Sequence, residues 1–101
     1  MSVVQITREN FANEVLHSNK PVLLDFYADW CGPCRMVGPV VSQIAEERGD
    51  IKVGKINVEK QPELAAQFRV MSIPMLAVIK DGKIANQVTG FRPKNQIEAL
   101  L

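Results

Sequence analysis

The stretch Val22-Leu23-Leu24-Asp25-Phe26-Tyr27-Ala28-Asp29-Trp30-Cys31-Gly32-Pro33-Cys34 decides how this chain folds. Its first seven residues are apolar at both parities except for Asp25, the pattern of a central strand covered on both faces. After Cys34 the period changes. Met36, Val37, Val40, Val41, Ile44 and Ala45 recur at i, i+1, i+4 and i+5, as on one face of a helix. Gly38-Pro39 interrupts that run locally, but the periodicity continues in phase beyond it, so one helix kinked at the proline is expected. A buried strand thus leads directly into a long helix, and the chain's two cysteines stand at the junction.

Outward from that junction, strand and helix signals alternate. On the N-terminal side, Val3 to Ile6 reads as a short strand, and Thr7 can cap a helix with Glu9 in its first turn. That helix would place Phe11, Ala12, Val15 and Leu16 on one face before Lys20-Pro21 breaks the chain. On the C-terminal side, Ile51 to Val58 reads as a strand, and Pro62 can begin a helix burying Leu64, Ala65 and Phe68. Pro74 to Ile79 is a buried strand, and Asp81-Gly82 signals a hairpin into Ile84 to Thr89. Pro93 opens a last helix carrying Ile97, Leu100 and Leu101. The order β-α-β-α-β-α-β-β-α predicts an α/β domain with a mixed sheet and helices packed on it.

A chain of 101 residues is the size of one domain, so residues 1–101 are read as a single unit. Hydrophobic residues make up 47% and charged residues 23%, which excludes disordered and fibrous classes. Twelve Lys+Arg against eleven Asp+Glu leave a net charge of +1, without the basic excess of a nucleic-acid or membrane-surface protein. The longest apolar run, Pro74 to Ile79, is far below the roughly 18 residues needed to span a bilayer. Met1 to Glu9 has no basic cluster followed by an apolar stretch, so a cytoplasmic protein is expected. In a reducing compartment an isolated cysteine pair serves catalysis or metal binding more often than structure.

The junction supplies chemistry for such a pair. A helix start presents unpaired N–H groups and a positive dipole end, which should lower the pKa of Cys31 and supply thiolate near neutral pH. Cys34, one turn further in, lies within disulfide reach at i,i+3 spacing. Cys31 could therefore attack a substrate disulfide, and Cys34 could then resolve the mixed disulfide. A zinc site would need about four ligands, whereas the chain holds two cysteines and His17. A purely structural disulfide across so short a loop would contribute little. Asp25 is ambiguous from its own surroundings: a buried carboxylate with a raised pKa, or a strand-end member of an ion pair.

Asp25 to Cys34 resembles the active-site signature of the thioredoxin family. Pro39 resembles that family's helix-kinking proline, Ile73-Pro74 its cis-proline site, Lys80-Asp81-Gly82-Lys83 its hairpin, and Gly90 the glycine bordering its binding groove. The resemblance implies a thioredoxin fold, with a five-stranded mixed sheet of order 1-3-2-4-5, its fourth strand antiparallel, flanked by four helices. It implies that Cys31 is the nucleophile, Cys34 the resolving thiol, Asp25 the proton acceptor for Cys34, and Lys55 a modulator of Asp25. It further implies a substrate groove formed by Trp30, Gly32, Pro33, Ile73, Pro74, Thr89, Gly90 and Phe91, with Trp30 as a partly exposed lid. The chain departs from the pattern at Arg35, Ser72, Met75 and Phe91, which bears on the shape of that groove.

The implied activity is general reduction of protein disulfides by a monomer that binds no cofactor or metal. Reducing equivalents would come from NADPH through thioredoxin reductase, or less commonly from a ferredoxin-linked reductase. Clients would include peroxidases, ribonucleotide reductase and methionine sulfoxide reductase. A binding module that uses the fold only as a docking surface is the competing class. It has no need of Cys31, Cys34 and Asp25 together.

Overall fold

The computed structural model describes residues 3–101. Its elements run β1 (Val3–Gln5), α1 (Ala12–Leu16), β2 (Val22–Tyr27), α2 (Gly32–Glu47), β3 (Lys52–Asn57), α3 (Pro62–Gln67), β4 (Met75–Lys80), β5 (Lys83–Thr89) and α4 (Lys94–Glu98). The strands form one sheet in the order β1-β3-β2-β4-β5. β1 and β2 run parallel to β3, whereas β4 is antiparallel to both β2 and β5. The expected element order, strand order and antiparallel fourth strand are therefore all present.

β2 is flanked by β3 and β4, and its alternate residues feed two cores. Val22, Leu24 and Phe26 join Ile6, Val15, Ile56, Leu64 and Phe68 on one face. Leu23 joins Val37, Val41, Ile44, Val53, Leu76 and Ile97 on the other, beneath α2 and α4. A strand buried on both faces reads as a continuous apolar run. That is why this segment carries no hydrophobic alternation.

α2 runs unbroken through Pro39, which is exposed within it. Its buried face is narrower than the periodicity predicts. Cys34, Val37, Val41, Ile44 and Ala45 are buried, but Val40 is only half-buried and Met36 is 59% exposed. One helix stripe touches the sheet, and Met36 lies about 100° around the helix from Val37, off that stripe.

α1 also differs from expectation. Thr7 supplies no side-chain cap; its N–H donates to Asn10 Oδ1 (2.8 Å), and Asn10 Nδ2 donates to Gln5 O (3.0 Å). The helix is one wide turn in which the His17 N–H reaches Ala12 O (2.9 Å). So short a turn lays a single i,i+4 row, Phe11 and Val15, against the sheet, while Ala12 and Leu16 face outward. The Asp81-Gly82 hairpin has positive φ at both residues, 53° and 76°, as a type I′ turn requires. No helix among the described residues is long and apolar enough to cross a membrane.

Gly54 shows how closely the central strands are packed. A Cβ built there would lie 2.7 Å from Ile6 Cγ1 and 3.1 Å from Leu24 Cδ2. Gly54→Ala should therefore overpack the first core and lower stability by about 1–3 kcal/mol. In guanidinium unfolding the midpoint should fall while the slope stays constant.

Candidate active site

β2 ends at Tyr27, and Ala28-Asp29-Trp30 carries the chain to Cys31, the N-cap of α2. Cys31 adopts an extended backbone (φ −87°, ψ 115°), and its Sγ accepts a hydrogen bond from the Cys34 N–H at 3.2 Å. Pro33 fits the first turn because the amide it lacks would have had no helical partner there. The geometry thus aims a backbone N–H and the positive end of a 16-residue helix at the Cys31 sulfur. Cys31 and Cys34 are joined as a disulfide with a Cα–Cα distance of 5.2 Å. Both sulfurs are largely buried against Ala28, Tyr27, Val58 and Ile73.

A cleft opens on each side of this pair. Beside Cys31 lies a space of about 500 Å³ walled by Trp30, Pro33, Val58, Val70, Met71 and Ile73. Beside Cys34 lies one of about 450 Å³ bordered by Tyr27, Asp29, Arg35, Gly38 and Lys55. The first is lined mostly by apolar side chains; the second brings charged groups to the inner thiol.

Trp30 is 65% exposed, and its indole N–H donates to Glu59 Oε2 at 2.8 Å, which fixes the ring at the cleft edge. The Ile73–Pro74 peptide bond is cis, and Ile73 O lies 3.9 Å from Cys31 Sγ. Pro74 is buried, and its carbonyl accepts the Gly90 N–H at 2.7 Å, which ties the start of β4 to the end of β5. Gly90 has φ +95°, a conformation that favours glycine. Thr89 pairs across from Met75 and is exposed, as is Phe91. Gly90 is thus tied to Pro74, whereas none of Thr89, Gly90 and Phe91 walls the cleft beside Cys31. Gly32 is exposed in the first turn of α2. Met75, one of the sequence departures, points into the core, where Gln87 Nε2 lies 3.1 Å from its sulfur, so its size does not shape the cleft.

Asp25 is 0% exposed and lies on the sheet face that α2 covers, the same parity as Leu23. Neither carboxylate oxygen has a hydrogen-bond partner among the described residues. Burial pushes its pKa up from 3.8 to about 6, opposed by the nearby Lys55 charge. Lys55 is in register with Asp25 on the neighbouring strand, yet its Nζ lies over the Tyr27 ring, 4.4 Å from the centroid.

Several participants carry no sequence signal of their own. Glu59 and Met71 are distant in sequence from the cysteines, and Met71 is 93% exposed at the edge of the apolar cleft. Arg35 donates from Nε (3.2 Å) and Nη2 (2.9 Å) to Asp29 O, clasping the active-site turn to the helix. His17, the C-cap of α1, is exposed and lines neither cleft. No cluster of three or more His, Cys, Asp or Glu among the described residues could hold a metal ion.

The thioredoxin family model matches residues 2–101. The chain belongs to the thioredoxin family. It is 49% identical to a thioredoxin of Pyropia yezoensis, with all of this chain and 95% of that protein aligned. It is 46% identical to a thioredoxin of Chlorobaculum thiosulfatiphilum over 92% of this chain and 87% of that protein. It is likewise 46% identical to thioredoxin 1 of a Nostoc species, over 99% and 94%. Thioredoxins are oxidoreductases that reduce protein disulfides by dithiol–disulfide exchange, hold no bound cofactor and receive reducing equivalents through thioredoxin reductase. The Cys31–Cys34 pair gives this chain the groups for that exchange.

The buried carboxylate makes stability depend on pH. In the folded chain Asp25 holds its proton up to about pH 6, against 3.8 for an ordinary aspartate, so the folded state binds more protons between those values. Its favourable contribution is complete below the lower value and is lost as pH rises through the upper one. About two pKa units correspond to about 3 kcal/mol. Between pH 4 and pH 8 the stability difference between Asp25→Asn and wild type should move in the variant's favour by most of that amount, about 2 kcal/mol. Guanidinium unfolding of the oxidised proteins at the two pH values measures it.

Proposed function

We propose that residues 1–101 act as a single-domain, monomeric, general protein disulfide reductase in the cytoplasm, with Cys31 as nucleophile and Cys34 as resolving thiol. The placement of Cys31 carries this reading: its sulfur is the N-cap acceptor of α2 and borders the apolar cleft. In the reduced protein that environment favours the thiolate. The Cys31 thiolate attacks one sulfur of a client disulfide, forms a mixed disulfide and expels the client's first thiolate. Cys34 then transfers its proton to the Asp25 carboxylate, which is ionised above about pH 6. The Cys34 thiolate attacks Cys31 Sγ, closes the Cys31–Cys34 disulfide and expels the second client thiolate. Two electrons have passed from the protein dithiol to the client, and thioredoxin reductase, drawing on NADPH, returns them.

Substrate contact falls to Trp30, Gly32, Pro33, Ile73, Pro74, Thr89, Gly90 and Phe91. An extended client segment would lie along Ile73 and the cis-proline turn, with its side chains against the apolar wall. Lys55 modulates Asp25 from the adjacent strand. Clients of this chemistry are enzymes that finish their cycle as disulfides, among them peroxidases, ribonucleotide reductase and methionine sulfoxide reductase. The chain's near neutrality suits a protein that meets many unrelated partners without strong electrostatic selection.

Insulin reduction with dithiothreitol as electron source should be abolished in Cys31→Ser. Equal turnover by the variant would remove the enzyme reading and leave a binding module. Cys34→Ser should accumulate the mixed disulfide, visible as a client adduct by mass spectrometry. Asp25→Asn should slow its resolution by about tenfold or more at pH 7. Unchanged turnover would remove Asp25 from the mechanism.

A further inference from the structure

One row of backbone positions crosses three strands: Gln5 of β1 is in register with Lys55 of β3, and Lys55 with Asp25 of β2. An ammonium beside a buried carboxylate ordinarily closes on it as a hydrogen-bonded ion pair. Here both Asp25 oxygens lack a hydrogen-bond partner among the described residues. The Lys55 nitrogen lies instead 4.4 Å from the centroid of the Tyr27 ring, two residues along β2 from the carboxylate. That is within the range at which an aromatic face attracts a cation. The Tyr27 hydroxyl accepts a hydrogen bond from Gln5 Nε2 at 3.0 Å, so the ring is tied to β1 across the lysine. On the helix side, a Cβ built on Gly38 would lie 3.8 Å from the same nitrogen, so α2 approaches the ammonium with a residue that has no side chain.

We propose that Tyr27 is a positioning residue whose ring, held by Gln5, takes up the Lys55 ammonium and keeps the Asp25 carboxylate free of an ion pair. The consequence for catalysis rests on the reading of Asp25 as proton acceptor. A carboxylate locked to an ammonium would be a poorer base for Cys34, whereas one with a cation nearby but occupied elsewhere stays available. The other titratable groups bordering this cleft are Cys34 and Arg35 from α2 and Asp29 after β2. Arg35 is engaged with the Asp29 carbonyl, and β4 sets Leu76 opposite Asp25. Lys55 is therefore the cation whose position tunes Asp25.

The test is a carboxyl NMR titration of Asp25 in the oxidised protein, where the thiols do not titrate. In Tyr27→Leu the released ammonium should close on Asp25 and lower its midpoint by about half a pH unit or more. Tyr27→Phe keeps the ring and should stay within about a quarter of that shift of wild type. Lys55→Gln should raise the midpoint, and adding Tyr27→Leu in that background should produce no downward shift. An unchanged or raised midpoint in Tyr27→Leu overturns the proposal, as does a downward shift that persists without Lys55. A wild-type measurement stands independently of any variant's folding. The Lys55 ε-methylene protons should be shifted upfield by the ring current, and ordinary shifts overturn the proposal. Asp25→Asn with unchanged turnover would remove the catalytic role while leaving the outcome for the ring and the ammonium to these titrations.

Discussion

β2 lies between β3 and β4 with one set of side chains in each core, and its end cannot move without disturbing both. The packed faces fix where Tyr27 stops, and the short turn Ala28-Asp29-Trp30 then delivers Cys31 to the start of α2. The helix is held in turn by Val37, Val41 and Ile44 pressed on the sheet. A thiol at a helix N-terminus is useful only if that terminus is rigid, because the N–H groups and the dipole act over the first turn. The double-sided burial of one strand supplies that rigidity.

The same burial creates the site's main cost. Asp25 occupies a position on β2 where an apolar residue would satisfy the core, and its carboxylate has neither a hydrogen bond nor an ion-pair partner among the described residues. Such a group destabilises the fold at neutral pH. Desolvation raises its pKa to about 6, and the proposed role as proton acceptor for Cys34 would account for its presence. The two clefts beside the disulfide differ in chemistry: the one at Cys31 is mostly apolar, and the one at Cys34 is bordered by Lys55 and Arg35.

Much of this was legible in one dimension. The doubly apolar run of β2, the Asp81-Gly82 turn and the helical period after Cys34 are local signals, and each appears where expected. The strand order came with the family resemblance, since periodicity does not say which strands are neighbours. Legibility failed where a local pattern was overridden by the area of sheet available. Met36 and Leu16 carry the right residue type for a core face, but the sheet accepts only one stripe of each helix, and both are left exposed. Thr7 has the residue type of a helix cap, but the closing hydrogen bonds are made by the Asn10 side chain.

The nature of the site was set by the sequence itself, because its chemistry is contained in four consecutive residues and the strand-to-helix change around them. A thiol pair at i,i+3 spacing on a helix start needs no distant partner to be recognised. The tertiary structure alone decided how that pair is served. Ile73 reaches Cys31 across 42 residues, Glu59 holds Trp30 across 29, and Lys55 stands beside Asp25 but over Tyr27. Those contacts depend on strand register and on the choice an ammonium makes between a carboxylate and an aromatic face. They are settled by packing in three dimensions and leave no trace in local spacing.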